Sequence, residues 1–578
     1  MRPPYVLLRD PEGAWRCCER PIRIVSTHRP GDVAKCLDRI DEAVRGGGFR
    51  AVGFVSYDGA EAFALPVKSG SGTGTLPLVW FGIFPDAHIR TSDELPKANP
   101  YHAGQWHPSI SRAEYLDAIA RIKTAIAAGD TYQINFTFRL SAAFEGDPLG
   151  LMTDLFAAQA GPWSAFVHTG DHVICSASPE LFFRRRGDRI ECRPMKGTAA
   201  RGLWTADDLA RASRLHQSEK NRAENVMVVD MTRNDLGRLA RTGSVQVPTL
   251  FDVERYPGQW QMTSTVTATL DYTGIRSIFE ALFPSGSVTG APKRSSMAII
   301  RDIESTPRGL YTGAIGSVGA DDAAFNVAIR TVVVDVKSGN AEFGVGSGVV
   351  WDSVDRDEYD ECLNKAAMLT RRVEPFGLIE TLRWDTAAGF VRLSRHVERL
   401  RRSAAYFGFA ALDDVAMTAR LDALVAGATT PLRVRLQMER SGNLDLQCTP
   451  IDDDPRPLTI ALADEPVSSS DVFLFHKTTH RGPYDRARSG RPDADTVLLW
   501  NERGEITEGS EANLVVELDG VRVTPPLESG LLPGVLREEL LERGEIREQV
   551  VRKDDLPRVE KIWLISSLRG WRLATLIG

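Results

Sequence analysis

The chain has 578 residues, of which 43% are hydrophobic and 25% charged, and 70 Lys and Arg stand against 77 Asp and Glu. This is the composition of an ordinary globular protein and excludes a disordered chain or a coiled coil. The formal net charge of −7 makes a nucleic acid a poor candidate partner. No stretch approaches the ~20 apolar residues of a membrane span. Seven cysteines without CxxC pairs argue against a disulfide framework or a zinc site, so we expect a cytoplasmic protein without membrane association.

The apolar pattern becomes regular after about residue 110, beyond a Gly/Ser/Thr-rich loop predicted at 68–75. Apolar residues at helical spacing predict a helix over 114–129 that ends at Gly129. The segment 133–144 alternates like a strand. Further strands are predicted from apolar runs rich in β-branched residues: 172–178, 324–336 and 341–350. Together with the intervening helices they indicate a large α+β body with much antiparallel sheet.

A change of pattern near 373–376 predicts a domain boundary. A charged helix ends at about 373, and the sequence EPFG breaks it. A strand leading into an amphipathic helix is predicted over 390–409, followed by alternating strands and short helices. We therefore expect a domain over 1–373, with its core at 110–370, and a second domain over 374–578.

Lys196, in PMKGT after the strand IECR, is the first candidate for chemistry. A lysine at a strand end is usually a solvated charge, but desolvation would lower its pKa and make its amine a nucleophile or a base. Glu224 lies at the start of an apolar run in the helix predicted over 218–239. That run is expected to bury one side of the helix through Val226, Met227 and Val229.

Glu358 and Glu361 are three residues apart, so both project from one helix face. Such acids are most often solvated or matched to a lysine such as Lys365. If they converge with another acidic helix, they form the hard oxygen site that Mg²⁺ prefers. Two glycine-rich turns, 284–293 and 344–353, lack the spacing of nucleotide-binding loops, although their backbone N–H groups can cradle a carboxylate.

Seven ordered motifs between about 110 and 370 resemble the chorismate-utilising family of anthranilate synthase and aminodeoxychorismate synthase component I: DTYQINFT, SPELFF, PMKGTAARG, RAENVMVVDMTRNDLGR, FPSGSVTGAPK, AIRTVVVD and EYDECLNK. The resemblance implies a two-sheet fold of helices and strands, chorismate as substrate and Mg²⁺ as cofactor.

The family's functional residues fall on matching positions of this sequence. By resemblance, Glu224 and Glu361 are Mg²⁺ ligands and Glu358 is their neighbour. Arg330, assisted by Tyr311, matches the arginine that holds the pyruvyl carboxylate. Further substrate-binding positions follow from the turns: Thr289, Gly346, Ser347 and Gly348.

Lys196 decides between family members. Aminodeoxychorismate synthases carry lysine before Gly-Thr, whereas anthranilate synthases carry alanine. The lysine amine can attack ring carbon 2 of chorismate as the carbon-4 hydroxyl departs, and ammonia then attacks carbon 4 and expels the lysine. Isochorismate-forming relatives also use a lysine, as a water-activating base at a different place. Gln261 stands where many relatives have a histidine, so the proton for the leaving hydroxyl must come from elsewhere.

The sequence shows no amidotransferase signature, that is, no cysteine in a glycine-flanked nucleophile turn with a matching His-Glu pair. If glutamine supplies the ammonia, a separate glutaminase subunit is expected to deliver it.

The second half carries a different set of candidates. Lys477 is predicted at the end of a strand in which Val472 and Leu474 face one way. Glu508 is predicted in a tight turn before a strand, and Arg399 on a helix. A Schiff-base lysine, an acid beside the pyridine nitrogen and an arginine at the phosphate are what a pyridoxal phosphate site requires.

The motifs FGLIETLRW, RHVERL, KTTHR, EGSEANL, LLPGVLRE and ISSLRG resemble the fold-type IV pyridoxal phosphate enzymes, which include aminotransferases and 4-amino-4-deoxychorismate lyase. The resemblance assigns Lys477 as the Schiff base, Glu508 to the pyridine nitrogen and Arg399 to the phosphate. It also implies a homodimer through this domain. Further phosphate-binding positions are the backbone of the turn after Gly534 and two serines: Val535, Leu536, Ser566 and Ser567. Leu536 departs from the threonine that relatives often carry.

Three hypotheses follow. In the first, both halves act in 4-aminobenzoate synthesis, the second as a lyase that cleaves the product of the first. In the second, an anthranilate or isochorismate/salicylate-type synthase is fused to an unrelated class IV aminotransferase. In the third, the second half is a non-catalytic scaffold. The lysine, acid and arginine are all present, which disfavours the scaffold.

Overall fold

The computed structural model describes residues 3–10, 12–68, 76–271, 274–370, 374–452 and 454–577. The chain forms two compact units, residues 1–200 with 212–373 and residues 201–211 with 374–578. The second unit therefore includes eleven residues that a single boundary near 373 places in the first domain. The loop predicted at 68–75 lies, apart from Lys68, outside the described residues.

The first unit is built on two large sheets. Within the described residues, one sheet has eleven strands, in the order Gly290–Ala291, Gln133–Gly146, Asn340–Val349, Thr331–Asp335, His172–Ser176, Ala165–His168, Tyr5–Arg9, Trp15–Glu19 and Arg90–Ser92, with Tyr101–Ala103 and His107–Pro108 also paired to Gln133–Gly146. The other has ten, in the order Met195–Ala200, Gln259–Thr269, Arg189–Cys192, Leu181–Arg186, Asp322–Val327, Ala314–Val318, Phe49–Val55, Val79–Pro85 and Arg23–Thr27, with Gln246–Arg255 paired to Gln259–Thr269. Their long pairings are antiparallel, as predicted.

The two sheets pack face to face, with helices on the outer faces. Val6 and Ile174 from one sheet meet Phe54 and Ile315 from the other in a buried apolar layer. The helices are Pro30–Val44, Arg112–Ala127, Pro148–Gln159, Glu219–Gly237, Ile275–Leu282, Lys293–Ile303 and Asp355–Ala366. Burying one face of each helix against a sheet removes apolar surface from water, which is the main stabilising term in such a fold.

Most predicted elements of this unit are observed. The predicted helix 114–129 is Arg112–Ala127, which begins at a capping box of Ser111 and Glu114. The run 324–336 is not one strand but two, Asp322–Val327 and Thr331–Asp335, which belong to different sheets. The chain crosses between the sheets just after Ala328, which places Arg330 at the crossover with a φ of 54°.

The helix Glu219–Gly237 buries only part of the predicted apolar run. Val229 is buried as predicted, whereas Val226 is 38% exposed and Met227 is half-buried. The buried face is formed by Asn225, Val228, Val229 and Leu236, which recur at helical spacing and include a polar residue that the apolar run did not reveal.

The second unit combines a small and a larger sheet. The four-stranded sheet has the order Gly389–Phe390, Leu378–Asp385, Leu432–Met438 and Leu444–Pro450. The larger one has, among the described residues, eight strands in the order Ile506–Gly509, Thr496–Trp500, Leu458–Leu462, Gly570–Leu576, Lys561–Ser566, Asn513–Leu518, Val521–Thr524 and Arg547–Glu548. The helices are Leu393–Phe407, Asp414–Val425, Gly482–Gly490 and Val535–Glu542, and the helix Thr205–Gln217 begins in this unit. The strand and helix predicted over 390–409 are thus confirmed.

Across the described part of the chain, no helix has both the length and the hydrophobicity needed to cross a lipid bilayer.

Candidate active sites

Lys196 lies on the strand Met195–Ala200, at one edge of the ten-stranded sheet, and not at the end of the preceding strand Arg189–Cys192. It is not a solvated surface charge, because burial lowers the pKa of its ammonium below the ordinary lysine range. The Lys196 carbonyl accepts a hydrogen bond from Asn225 Nδ2 at 3.3 Å, and Gln261 Nε2 donates to the Gly197 carbonyl at 2.9 Å. The amide of Gln261 therefore helps to hold the strand that carries the lysine.

Gly348 makes room for the Lys196 amine. A Cβ atom placed on Gly348 would lie 2.3 Å from Lys196 Nζ, far inside van der Waals contact. The absence of a side chain thus lets the amine reach the backbone of the strand Asn340–Val349. The structure brings together the PMKGT motif and the glycine-rich turn, which are about 150 residues apart in sequence.

The three glutamates predicted around the lysine all act on it. Glu224, Glu361 and Glu358 each raise the pKa of Lys196, against the stronger lowering by burial and a further lowering by Lys365. Lys365 Nζ pairs with Glu361 Oε1 at 2.6 Å. Burial alone would raise the pKa of the Glu361 carboxyl, but Lys365, Lys196 and Arg330 outweigh it, and the net shift is downward. Glu361 is therefore matched to Lys365, as the plainer hypothesis anticipated.

The donor set is suited to a hard divalent cation but is not assembled as a finished metal cage. In the part of the chain that the structure describes, no three or more His, Cys, Asp or Glu side chains are grouped closely enough to hold a metal ion. Mg²⁺ is commonly held by one or two carboxylates plus water and an anionic substrate. Glu224 and Glu361 fit that mode of binding.

Arg330 stands next to the open edge of the glycine-rich strand. The neighbouring strand Thr331–Asp335 pairs only with residues 340–343, so within the described residues the backbone from Gly344 to Val349 has no strand partner on that side. Arg330 Nη1 donates to the Lys365 carbonyl at 2.8 Å, and burial lowers the pKa of its guanidinium. A guanidinium beside unpaired backbone N–H groups is a suitable receptor for a carboxylate.

The other predicted substrate-binding side chains all contact the protein itself: those of Tyr311, Ser347 and Thr289. The Tyr311 ring lies against Gly344, where a Cβ atom would be 2.2 Å from the ring. Ser347 Oγ is 2.8 Å from Tyr115 Oη, so its side chain binds the protein and only its backbone is oriented for a ligand. Thr289 Oγ1 donates to the Ser285 carbonyl at 3.0 Å and is fully buried.

Glu180, in the motif SPELFF, is a site residue that sequence reasoning missed. It is 3% exposed, Ser287 Oγ donates to its Oε1 at 2.7 Å, and Lys196 is one of its electrostatic neighbours. Burial raises the pKa of the Glu180 carboxyl to about 7. A carboxylic acid that stays protonated near neutral pH beside the lysine can donate a proton. The signal available in the sequence was a single acid within an otherwise apolar run.

Lys477 follows a short 3-10 turn, Val472–Leu474, and does not end a strand as predicted. Its carbonyl accepts from the Ile379 N–H at 2.8 Å, which ties it to the strand Leu378–Asp385. Burial, together with the Arg399 guanidinium, lowers the pKa of the Lys477 amine to about 8. The amine is therefore partly neutral near physiological pH and chemically reactive.

Glu508 lies inside the strand Ile506–Gly509, and not in a turn as predicted. Its carboxylate is held by three donors: Tyr484 Oη at 2.8 Å, Asn513 Nδ2 at 3.0 Å and the Leu532 N–H at 3.1 Å. Burial nevertheless raises its pKa to about 7. Glu508 and Lys477 influence each other electrostatically, so the two predicted partners lie in one site.

Arg399 belongs to a buried network that the motifs did not reveal. Its Nε and Nη2 donate to Glu380 at 2.8 and 2.6 Å, and its Nη1 donates to the Pro533 carbonyl at 3.2 Å. Glu380 is also 2.7 Å from His396 Nδ1, and His396 Nε2 is 2.9 Å from Ser567 Oγ. The network fixes the guanidinium on the helix Leu393–Phe407 while leaving it N–H groups for an anion.

The backbone predicted to hold a phosphate begins a helix. Gly534 is the N-cap of Val535–Glu542, so the first N–H groups of that helix, including those of Val535 and Leu536, lack intrahelical partners. Arg399 reaches the same turn through Pro533. The lysine amine, the acid, the arginine and the free N–H groups together fit pyridoxal phosphate.

A cavity of about 580 Å³ borders Ser567. Five arginines line it: Arg383, Arg392, Arg456, Arg569 and Arg572. Asp454 also lines the cavity, and ion pairs join Arg392 to Glu539 and Arg456 to Asp495, so only part of this positive charge faces a ligand. The lining nevertheless carries more positive than negative side chains, which suits an anionic substrate.

Both halves match protein families. Residues 4–371 match the chorismate binding enzyme family, and residues 377–577 match amino-transferase class IV. The chain belongs to the chorismate binding enzyme family, and its second unit is a class IV amino-transferase domain. Domains of that class imply pyridoxal phosphate as the cofactor.

Three relatives illustrate the similarity. An aminodeoxychorismate synthase component 1 of Bacillus subtilis is 35% identical over 56% of this chain and 77% of its own length. An anthranilate synthase component 1 of Streptomyces coelicolor is 40% identical over 48% of this chain and 56% of its own length. The crystal structure of anthranilate synthase component I from Streptococcus pneumoniae, 24% identical, has a TM-score of 0.53 and covers 64% of this chain and 93% of that one. The last confirms the two-sheet fold, while overall identity does not separate the two activities.

Proposed function

We propose that the protein makes 4-aminobenzoate in two steps. The first unit converts chorismate and ammonia to 4-amino-4-deoxychorismate, and the second cleaves that product to 4-aminobenzoate and pyruvate. The name of the Bacillus relative supports the first step, and the class IV domain supports a pyridoxal phosphate enzyme for the second.

The observation that carries the proposal is the buried Lys196 amine packed against Gly348. A lysine whose pKa is lowered by burial can present a neutral amine to ring carbon 2 of chorismate. When that carbon–nitrogen bond forms, the ring double bonds shift and the carbon-4 hydroxyl leaves. Ammonia then attacks carbon 4 and expels the lysine, which places nitrogen para to the ring carboxylate.

Glu180 is the proposed proton donor for the departing hydroxyl. Its carboxyl stays protonated up to a pH of about 7, and it interacts electrostatically with Lys196. Protonation lets the hydroxyl leave as water, which a glutamine at position 261 cannot achieve. The buried Glu180 thus supplies the acid whose source the sequence left open.

The substrate is held by its carboxylates. Arg330 and the backbone N–H groups of Gly346 and Gly348, at the strand edge without a strand partner, are proposed to bind the pyruvyl and ring carboxylates. Glu224 and Glu361 would hold Mg²⁺, which neutralises negative charge on the bound substrate. Glu224→Gln or Glu361→Gln is expected to remove Mg²⁺-dependent turnover, because each takes a charged oxygen ligand from a hard cation, and a titration of activity against Mg²⁺ measures this. If both variants keep the parent's dependence and rate, these glutamates are not ligands.

In the second unit, Lys477 is proposed as the base at the substrate's carbon 4. Pyridoxal phosphate, when bound, supplies an electron sink for the pair left by that proton. Lys477, with a pKa of about 8, can both remove and return a proton near neutral pH. Glu508 would hold a proton at the pyridine nitrogen, and Arg399 with the N–H groups after Gly534 would hold the phosphate. The arginine-lined cavity beside Ser567 suits a dicarboxylate substrate.

Product analysis tests the proposal. Purified protein receives chorismate, ammonium, Mg²⁺ and pyridoxal phosphate, and the products are separated by chromatography. We expect 4-aminobenzoate and equimolar pyruvate. Anthranilate or salicylate as the main product would instead indicate a different synthase.

A separate glutaminase is proposed as the source of ammonia, because the sequence shows no amidotransferase signature and the curated relatives are named component 1. The purified chain is therefore expected to use ammonium but not glutamine. Turnover with glutamine by the chain alone would contradict this.

The class IV match also keeps an aminotransferase open as a second candidate for the second unit. Supplied aminodeoxychorismate separates the two. Pyruvate release indicates the lyase, whereas amino-group transfer to a keto acid without pyruvate release indicates the aminotransferase.

A further inference from the structure

The second unit includes a loop that belongs, by sequence, to the first half. Residues 201–211 are part of this unit together with 374–578. They follow directly after the strand Met195–Ala200, which carries Lys196. The loop 201–204 then leads into the helix Thr205–Gln217.

An ion pair between Arg201 and Asp208 closes the loop. Arg201 Nε and Nη2 donate to the two oxygens of Asp208 at 2.8 and 2.7 Å, and the Gly202 N–H donates to Asp208 Oδ1 at 2.8 Å. A Cβ atom on Gly202 would lie 2.2 Å from Asp208 N, so only glycine allows this close approach. Asp208 is 4% exposed, so this ion pair is an interior feature and the loop has a defined shape.

The loop contacts Tyr406, which lies on the same helix as Arg399. The Arg201 guanidinium lies 4.2 Å from the centre of the Tyr406 ring, and its Nη2 donates to the Tyr406 carbonyl at 3.1 Å. Tyr406 Oη in turn donates to the Gly202 carbonyl at 2.6 Å. These reciprocal contacts attach the loop to the end of the helix Leu393–Phe407.

The loop also packs on the residues that come just before Lys477. Trp204 stacks on Phe475, with ring centres 5.3 Å apart and an angle of 27° between the planes. The Tyr406 ring lies 4.4 Å from the His476 ring, and Ser403 Oγ is 3.0 Å from His476 Nδ1. Phe475 and His476 are both buried, so their positions fix the start of the peptide that presents Lys477.

The same apolar cluster reaches the acid of the site. Leu203 and Trp204 pack against a buried group that includes Phe475 and Tyr484. Tyr484 Oη donates to Glu508 at 2.8 Å. Burial lowers the pKa of the His476 imidazole to about 4, so the ring is neutral at physiological pH and adds no charge beside Lys477.

We propose that the loop 201–204 is a positioning element of the pyridoxal phosphate site. By packing on Phe475, His476 and Tyr484, it sets the orientation of Lys477 and the Glu508 partner. A segment that lies within the sequence of the first half thus completes the cofactor site of the second unit, to which it belongs in the structure. The inference rests on the proposed function only in that Lys477 must bind pyridoxal phosphate.

The test uses three variants of the full-length chain. Trp204→Ala removes the stacking partner of Phe475, Trp204→Phe keeps an aromatic ring there, and Leu209→Ala is the control, because Leu209 lies in the same segment but is 60% exposed. The readouts are the dissociation constant of pyridoxal phosphate and the pH midpoint of the bound cofactor's visible band. Formation of aminodeoxychorismate with ammonium reports on the first unit.

We expect Trp204→Ala to weaken cofactor binding by about tenfold, the loss of one well-packed aromatic contact. It should also shift the pH midpoint, because the surroundings of Lys477 change. Trp204→Phe should restore most of both, Leu209→Ala should match the parent, and aminodeoxychorismate formation should persist in all three. Parent-like affinity and midpoint in Trp204→Ala would overturn the inference.

If Trp204→Ala does not fold, Tyr406→Phe decides: it removes only the hydrogen bond to Gly202, and a shifted midpoint supports the inference, whereas a parent-like midpoint and affinity overturn it. If the parent itself takes up no pyridoxal phosphate, the proposed function of the second unit fails, and the inference fails with it. Failure of the inference alone leaves the parent's cofactor binding intact.

Discussion

The two units each contain a half-buried lysine whose amine is desolvated, and the strongest charged neighbours of the two lysines are opposite in sign. Burial lowers the pKa of both. Around Lys196 the strongest charged neighbour is Glu224, which opposes that shift, whereas around Lys477 it is Arg399, which adds to it. Burial lowers the pKa of a lysine amine and so makes it reactive, whereas the charged neighbours determine which ligand fits. Acids beside Lys196 suit a metal-bound substrate, and a cation beside Lys477 suits a phosphate.

The largest expected effect is at Lys477. Lys477→Ala should lose the visible band of lysine-bound cofactor and reduce 4-aminobenzoate formation by about a thousandfold or more, because base and attachment point are removed together. Aminodeoxychorismate should then accumulate. The measurements are an absorbance spectrum and product chromatography, with Lys337→Ala, whose side chain is 78% exposed, as the control. Full 4-aminobenzoate formation by Lys477→Ala would show that Lys477 is not needed for the cleavage step.

The corresponding change in the first unit is Lys196→Ala. We expect para-amination to fall by about a hundredfold or more, because the nucleophile at ring carbon 2 is lost. Cleavage of supplied aminodeoxychorismate should stay at the parent's rate, and residual anthranilate would fit the mechanism. Chromatography of the reaction with chorismate and ammonium measures this. Undiminished para-amination would show that Lys196 is not the nucleophile.

The pH dependence of the first step tests the proposed role of Glu180 as a proton donor. Burial raises the pKa of this carboxyl to about 7, so the proton donor is present below that pH and lost above it. The rate of the first step, divided by the concentration of free ammonia, should therefore fall as the pH rises through about 7. Glu180→Gln should remove this limb and slow the step by about a hundredfold. Glu280→Gln, at a side chain 41% exposed, should keep the parent's profile, and an unchanged profile in Glu180→Gln would exclude the role.

The smallest expected effect is at Gly348. In Gly348→Ala the new methyl group meets Lys196 Nζ, the mobile end of a side chain, so the fold should persist while the amine is displaced. A reduction of about tenfold in para-amination is expected, with no change in lyase activity. Gly46→Ala is a matched control, because a Cβ atom there has no neighbour within 4 Å. Equal rates in the two variants would show that the contact with Gly348 does not orient Lys196.

Several site residues could be found from the sequence because they stand in short motifs. PMKGT identified Lys196, and KTTHR identified Lys477. The motifs also identified Glu224 and Arg399, the strongest charged neighbours of these lysines, but they did not identify the buried acids Glu180 and Glu380. Each is a single acid in an apolar run, and the neighbouring sequence does not show what it contacts. Glu180 accepts from Ser287, 107 residues away, and Glu380 accepts from Arg399, 19 residues away.

The sequence by itself determined that there are two parts, the family that each resembles and the two lysines proposed for catalysis, because motifs and apolar periodicity are local properties of a chain. Only the tertiary structure decided that 324–336 splits between two sheets with Arg330 at the crossover, and that the loop 201–204 packs on Phe475. It also decided the direction of the pKa shifts at Lys196 and Lys477. Burial and charge depend on groups brought together from distant positions, and that proximity exists only once the chain has folded.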